Sequence, residues 1–374
     1  MGDAMNYKRM PIEIESPEQL GYGNIKHNLT ESSVSDMPLR KLGIDLNDLA
    51  LAYTDHAGKP ELRAAVAAEG AGLSADDVLI TVGAASALFI VATSLLGKGD
   101  KIVVAHPNYA TNIETPRAIG ASIEFLRLSF EDGFRVDLDR LRSLVTEDTK
   151  LISLTCPHNP TGAMMSESDV REAIAIAEER NCWLLFDETY REMAFGGALP
   201  PAASLSSRVI SVASVSKSYG LPGVRMGWLI AKDKKLQELF LAAKEQIFIC
   251  NSIVDEEIAC HALLNKSRIL PEILANNKAA FEVVKSWMAG RSDMEWVEPR
   301  GGVVCFPRIR EDSGVDVDLF YKTLNGKYAT HAGPGHWFEM DRRYMRIGYG
   351  WPTREELVGG LECVGKALDE AKKQ

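Results

Sequence analysis

The chain has 374 residues, 46% of them hydrophobic and 25% charged, the make-up of a globular protein with apolar surface enough for a large core and a smaller second one. A formal net charge of −10 at pH 7 denies it the basic field that draws in nucleic acid or an anionic membrane, although it leaves a local anion site open. Six scattered cysteines with no C-x-x-C pair, seven dispersed histidines without metal-ligand spacing, no basic-plus-apolar leader and no run of membrane-spanning length predict a reduced, cytoplasmic chain with no metal site.

A polar arm occupies residues 1–45. Then "VLITVG" (78–83) is short and β-rich, and "SALFIVATSLLGKGD" (86–100) predicts a helix closed by Gly97 and Gly99. The runs "KIVVAHP", "ASIEFLRL", "KLISLTCP", "CWLLFDE", "RVISVAS" and "MGWLIAK" follow, each rich in Val, Ile and Leu, as strands buried on both faces are. Helical patterns lie between several of them, such as "SESDVREAIAIAEERN" (166–181), with a Ser start and an Asn stop. The alternation predicts an α/β fold with a mainly parallel sheet covered by helices. Past about residue 235, "DKKLQELFLAAKEQIFICNSIVDEEIACHALLN" predicts helix throughout, and 272–290 a long helix. The runs "MEWVEP", "GGVVCFPRI" and "RYMRIGYG" and a last helix "REELVGGLECVGKALDEAKK" then predict a smaller α+β domain. The expected division is an arm over 1–45, a large domain over 46–270 and a small one over 271–374.

In open α/β sheets the ligand sits where strands end in loops. Here those loops carry an unusual set. Small residues including Ala84 and Ala85 open a helix after "VLITVG", and helix N-terminal amides suit phosphate. Tyr109 follows "KIVVAHP", Asn159 stands in "NPTG", Asp187 and Tyr190 end "CWLLFDETY", and Ser214, Ser216, Lys217 and Arg225 follow "RVISVAS". Each has a plain reading, as a surface lysine, a helix cap, a turn asparagine or a core tyrosine. Pyridoxal phosphate uses them all. It needs a lysine to form the imine, an acid on its ring nitrogen and a grip on its phosphate. Lys217 and Asp187 fill the first two roles. Asn159 and Tyr190 would bind the phenolate oxygen, and Tyr109 would stack on the ring. Ala84, Ala85, Ser214, Ser216 and Arg225 would hold the phosphate, where a guanidinium fork is apt.

"NPTG", "DETY", "SKSYGLPGVRMG" and "MRIGYG", in this order and spacing, resemble the fold-type I, class I/II aminotransferases of the aspartate aminotransferase superfamily. The resemblance runs from about residue 25 to 365 and implies that family's large-plus-small-domain fold. It maps the family's substrate-carboxylate arginine to Arg346 and, through "YTDHAGKPELRAAVA", the tyrosine that reaches the partner subunit's phosphate to Tyr53. It thus implies a homodimer. Family members also fold the N-terminal arm over the active-site mouth, which makes His27 and Glu31 candidates for binding the substrate. "GAAS" departs from the family in lacking a hydroxyl often found in the phosphate turn.

The expected activity is transamination between an L-amino acid and a 2-oxo acid, with Lys217 as anchor and base. Stretches such as "CPHNPTGA" and "PRGGVVCFPRI" also resemble capreomycidine-synthase-like enzymes and arginine oxidases, which carry the same cofactor to cyclisation or reaction with O₂. There Glu31 and Asp36 would meet a guanidinium. A non-catalytic module that retains the cofactor is the rival from another class, opposed by the presence of Lys217, Asp187 and Arg346. A nucleotide-binding dehydrogenase lacks its G-x-G-x-x-G after the first strand.

Overall fold

A computed structural model describes residues 4–372. The arm contributes one short strand, β1 (His27–Leu29). The large sheet follows as β2 (Val78–Thr81), β3 (Lys101–His106), β4 (Ser122–Arg127), β5 (Thr149–Thr155), β6 (Trp183–Asp187), β7 (Val209–Ser214) and β8 (Gly227–Ala231). The rest are β9 (Met294–Glu295), β10 (Val304–Cys305), β11 (Arg308–Ile309), β12 (Thr330–Pro334) and β13 (Met345–Gly348).

The seven-stranded sheet has the order β2-β8-β7-β6-β5-β3-β4 and is mixed α/β, mostly parallel, with helices on both faces. Alternation along β2 explains the two covers. Val78 and Ile80 enter one core, with Leu62 and Val66, while Leu79 enters the other, with Ile90, Val91 and Phe240. β8 is the exception in direction, pairing antiparallel with both β7 and β2. A loop suffices to turn an antiparallel strand back, so no crossover helix intervenes. Gly227 therefore begins β8 beside Ser214 and Thr81, where β7 and β2 end.

A second sheet, β1-β12-β13-β10, joins the arm to the C-terminal region, with β1 parallel to β12 in the register His27↔Thr330. Leu29, Phe320, Met345, Ile347, Leu361 and Val364 form its own core.

Helix boundaries follow local chemistry. The helix expected at 86–100 runs Gly83–Leu95, because Gly83 at φ +74° makes the turn and the small residues after it are already helical. Ser166 starts Glu167–Glu179 with a capping box closed by Asp169. The single helix expected after residue 235 is two, Lys234–Phe248 and Ile253–Leu264. They part at Ile249, which has φ +54°, and Ser252 caps the second. Helix Lys266–Ala289 runs through Pro271 and across position 270. Among the described residues no helix is long and apolar enough to cross a membrane, no group of three or more His, Cys, Asp or Glu is placed to hold a metal, and the six cysteines are free thiols.

Candidate active site

β2, β3, β5, β6 and β7 end on one edge of the large sheet, and the reversed β8 begins there. A cleft with a cavity volume of about 210 Å³ opens over that edge. Of the candidates, Ala84, Ala85, Tyr109, Asn159, Asp187, Tyr190, Ser214, Ser216, Lys217, Arg225, Arg346 and Glu31 all line it.

Lys217 lies three residues beyond β7. Burial pushes its ammonium pKa down; Arg346 and Arg225 act the same way, and Glu31 opposes them. A neutral amine is the form that attacks carbonyl carbon or accepts a proton. The arm holds this loop by its backbone. Val34 N–H donates to the Lys217 carbonyl at 3.1 Å and Met37 N–H to that of Gly220 at 2.7 Å.

Asp187, only 4% exposed, ends β6. Its Oδ1 accepts from the Thr189 N–H at 3.1 Å and the Thr189 hydroxyl at 2.6 Å, and its Oδ2 from Asn112 Nδ2 at 3.3 Å. Burial raises its pKa and those hydrogen bonds oppose the rise; none of the groups acting on it is a cation. A buried carboxylate so placed suits a protonated ring nitrogen that arrives with a ligand. Asn112 also donates to Asn108 Oδ1 at 3.3 Å, which accepts from the Thr155 hydroxyl at 3.0 Å and the Tyr109 N–H at 2.8 Å. One buried amide network thus fixes both Tyr109 and Asp187. Asn112, Thr155 and Thr189 escape sequence reasoning, although the four-residue spacing of Asn108 and Asn112 was a signal for the first.

At the other end the amides of Ala84 and Ala85 open a 13-residue helix beside Arg225. A Cβ on Gly83 would stand 2.8 Å from Arg225 Nη2, and one on Gly227 would stand 2.7 Å from the Ala84 nitrogen. Glycine at both positions lets Arg225 and the start of β8 close on this helix N-terminus, whose amides suit a phosphate. Ser214 and Ser216 line the same cleft, with Ser216 N–H donating to Ser214 Oγ at 3.3 Å.

Arg346 projects from β13 and is 3% exposed. Its Nη1 donates to Asn159 Oδ1 at 3.1 Å and its Nη2 to the Thr30 carbonyl at 2.7 Å, while its buried Nε has no partner. The Tyr190 hydroxyl donates to the Ser32 carbonyl at 2.8 Å, and burial pushes its pKa up to about 12. Its oxygen lone pairs stay available as acceptors.

Three residues singled out in the sequence lie outside this cleft, Tyr53 as expected of a residue that faces the partner subunit. His27 is corrected. It pairs along β12, and its ring packs on the last helix, where a Cβ on Gly359 would stand 2.8 Å from Cε1. Strand alternation sends His27 with Leu29 toward that helix, and burial lowers its pKa. Asp36 lies outside the cleft lining and accepts from Trp351 Nε1 at 3.0 Å. Tyr53 is 87% exposed and does not line its own chain's cleft.

A family profile described as aminotransferase class I and II matches residues 19–359. Capreomycidine synthase of Streptomyces vinaceus is 30% identical over 347 residues, 91% of this chain and 87% of that protein. An arginine–pyruvate transaminase of Pseudomonas aeruginosa is 28% identical over 334 residues, 85% of this chain and 84% of that one. A crystal structure of a PLP-dependent aminotransferase from Streptococcus suis superposes with a TM-score of 0.90 at 26% identity, covering 98% of this chain and 100% of the other.

Proposed function

Because the chain belongs to the class I and II aminotransferases, we propose that it moves the amino group of an L-amino acid to a 2-oxo acid, with Lys217 as covalent anchor and proton carrier. The cofactor is pyridoxal phosphate, and the donor set fits it: a helix N-terminus on which Arg225 closes, a buried acid without a cation and a buried lysine, all lining one cleft. When bound, it supplies the electron sink for the bonding pair of the substrate's Cα–H.

The chain's own residues do the rest. Arg225, the Ala84 and Ala85 amides, Ser214 and Ser216 grip the phosphate. Asp187, its orientation set by Thr189 and Asn112, keeps a proton on the ring nitrogen. Asn159 would donate its Nδ2 to the phenolate oxygen, Tyr190 would do so only by turning its hydroxyl away from the Ser32 carbonyl, and Tyr109 would cover the ring. Arg346, its guanidinium held by Asn159 and the Thr30 carbonyl, binds the α-carboxylate, which orients Cα toward Lys217. The Nζ of Lys217, its ammonium form disfavoured by burial, would take the Cα proton and carry it through the transfer. The observation that carries this reading is that Lys217, Asp187 and Arg346 share one cleft, with burial acting on all three.

A second reading, oxidation or cyclisation of an arginine-type amino acid, draws on the similarity to capreomycidine synthase and uses the same residues. One experiment separates them. Holoenzyme is mixed with a panel of amino acids while absorbance and dissolved O₂ are followed. Conversion of the cofactor to its amino form without O₂ uptake, together with release of a 2-oxo acid, supports transamination. O₂ consumption or a cyclic product overturns it.

We also propose a homodimer with Tyr53 facing the partner's phosphate site. Tyr53 stands out from the surface beside Leu51, and both are strongly exposed in the single chain.

A further inference from the structure

We propose that the cleft selects amino acids with a positively charged side chain, read by Glu13, Glu18 and Glu31 of the arm. This deepens the transaminase reading and rests on it.

Carboxylates outnumber cations in the cleft lining. The lining holds three cationic side chains, Lys217, Arg225 and Arg346, and four carboxylates, Asp187, Glu13, Glu18 and Glu31. In the proposed reaction Arg225 faces phosphate, Arg346 faces the substrate carboxylate, Asp187 faces the ring N–H, and Lys217, displaced from the cofactor by the substrate, must be an uncharged amine to take the Cα proton. Every cation then has an anion. Three carboxylates remain, all from the arm, and the substrate's side chain is the group left to meet them.

Arg346 is almost wholly buried, with Nε unpartnered, so the cleft is built for an anion at that end. A ligand that satisfies Arg346 with its α-carboxylate extends its remaining atoms toward the mouth, where the arm lies. Glu31 is held there by the Tyr22 hydroxyl at 3.0 Å and more loosely by Asn28 Nδ2 at 3.5 Å, both neutral donors. Burial raises the Glu31 pKa, and Lys217 and Arg346 pull it back toward the carboxylate form.

Glu13 and Glu18 are held in place by the residue between them. They sit in the helices Pro11–Ile14 and Pro17–Leu20, joined through Glu15. Glu15 accepts from Trp337 Nε1 at 2.6 Å and His336 Nε2 at 3.0 Å. Trp337 lines the cleft and lies 6.0 Å from the Arg346 guanidinium. The arm is thereby pinned to the same wall that carries the carboxylate-binding arginine. A dicarboxylic amino acid would bring its second negative charge against three of the same sign.

The test compares arginine with citrulline, which has nearly the same shape without the charge, and adds glutamate. Apparent Kd comes from the cofactor spectrum of the holoenzyme, and calorimetry on Lys217→Ala gives binding without turnover. Arginine is expected to bind at least roughly ten times more tightly than citrulline, with glutamate weakest. The arginine-to-citrulline ratio should shrink with added salt. In Glu31→Gln and Glu18→Gln, which keep side-chain shape, it should fall toward unity. Equal affinities, a preference for glutamate, or a ratio unchanged in both variants overturns the proposal while transamination stands. If no amino acid perturbs the spectrum, both readings fall.

Discussion

Lys217 and Asp187 are both buried, and burial works on them in opposite directions. It makes the lysine easier to deprotonate and the acid harder to ionise. Lys217→Ala is therefore expected to abolish turnover and the covalent cofactor adduct while cofactor still binds. Borohydride trapping followed by peptide mapping checks it, and an adduct on another lysine would sink the assignment. Asp187→Asn keeps the hydrogen-bonding shape but removes the charge that keeps the ring nitrogen protonated. Turnover should drop about 100-fold or more, read as kcat, with the melting temperature little changed. The neighbour Glu188 makes a separate, pH-dependent prediction. Burial raises its carboxyl to about 7, and it accepts from the Ala202 N–H at 2.7 Å. Unfolded, it titrates near 4.3. Between about pH 4 and 7 the folded state holds the proton and the unfolded state has lost it, so stability falls as pH rises through that window. The loss is of the order of 3 kcal/mol. Glu188→Gln keeps the acceptor and should flatten this slope in melting curves taken from pH 4 to 8.

At the scale of elements, Gly220 couples the lysine loop to the arm. It has φ +63°, and a Cβ there would stand 2.3 Å from the Ser35 carbonyl oxygen. Gly220→Ala should cost about 1–3 kcal/mol and expose the arm to limited proteolysis before the large sheet is cut. An arm no more sensitive than in the wild type would contradict that coupling. The elements also show what the amino-acid order could disclose. Strands buried on both faces announce themselves as Val, Ile and Leu runs, and the motif loops follow them, so most of the cleft was legible. The direction of β8 was not, because composition carries no arrow, yet that reversal is what brings Arg225 to the phosphate turn. His27 was misread because a three-residue strand gives too short a pattern to say which face is inward. Glu13 and Glu18 were missed because their helices have four residues each, and Glu15 between them finds its partner Trp337 322 positions away.

For the whole molecule, a site shared between two chains makes cofactor binding and association linked equilibria. Tyr53→Phe should loosen cofactor retention while Lys217 chemistry persists. Mixed dimers of Tyr53→Phe and Lys217→Ala chains put both lesions in one site and restore the other, so activity should partly return on subunit exchange. No recovery, or a fully active monomer in sedimentation, would show that the site is not shared.

The Arg346 guanidinium grips the Thr30 carbonyl across 316 positions of chain, and β1 waits for β12 over nearly the same span. At a ribosomal pace of about 5–20 residues per second, the arm emerges roughly 15–60 seconds before its partner strand exists. During that interval the nascent chain acquires the phosphate turn, the acid and the lysine, but not the arginine or the wall to which Glu15 is pinned. The growing polypeptide thus gains the residues that would hold the cofactor before the arginine and the wall that would complete its discrimination among amino acids. Selectivity is the last property the ribosome delivers.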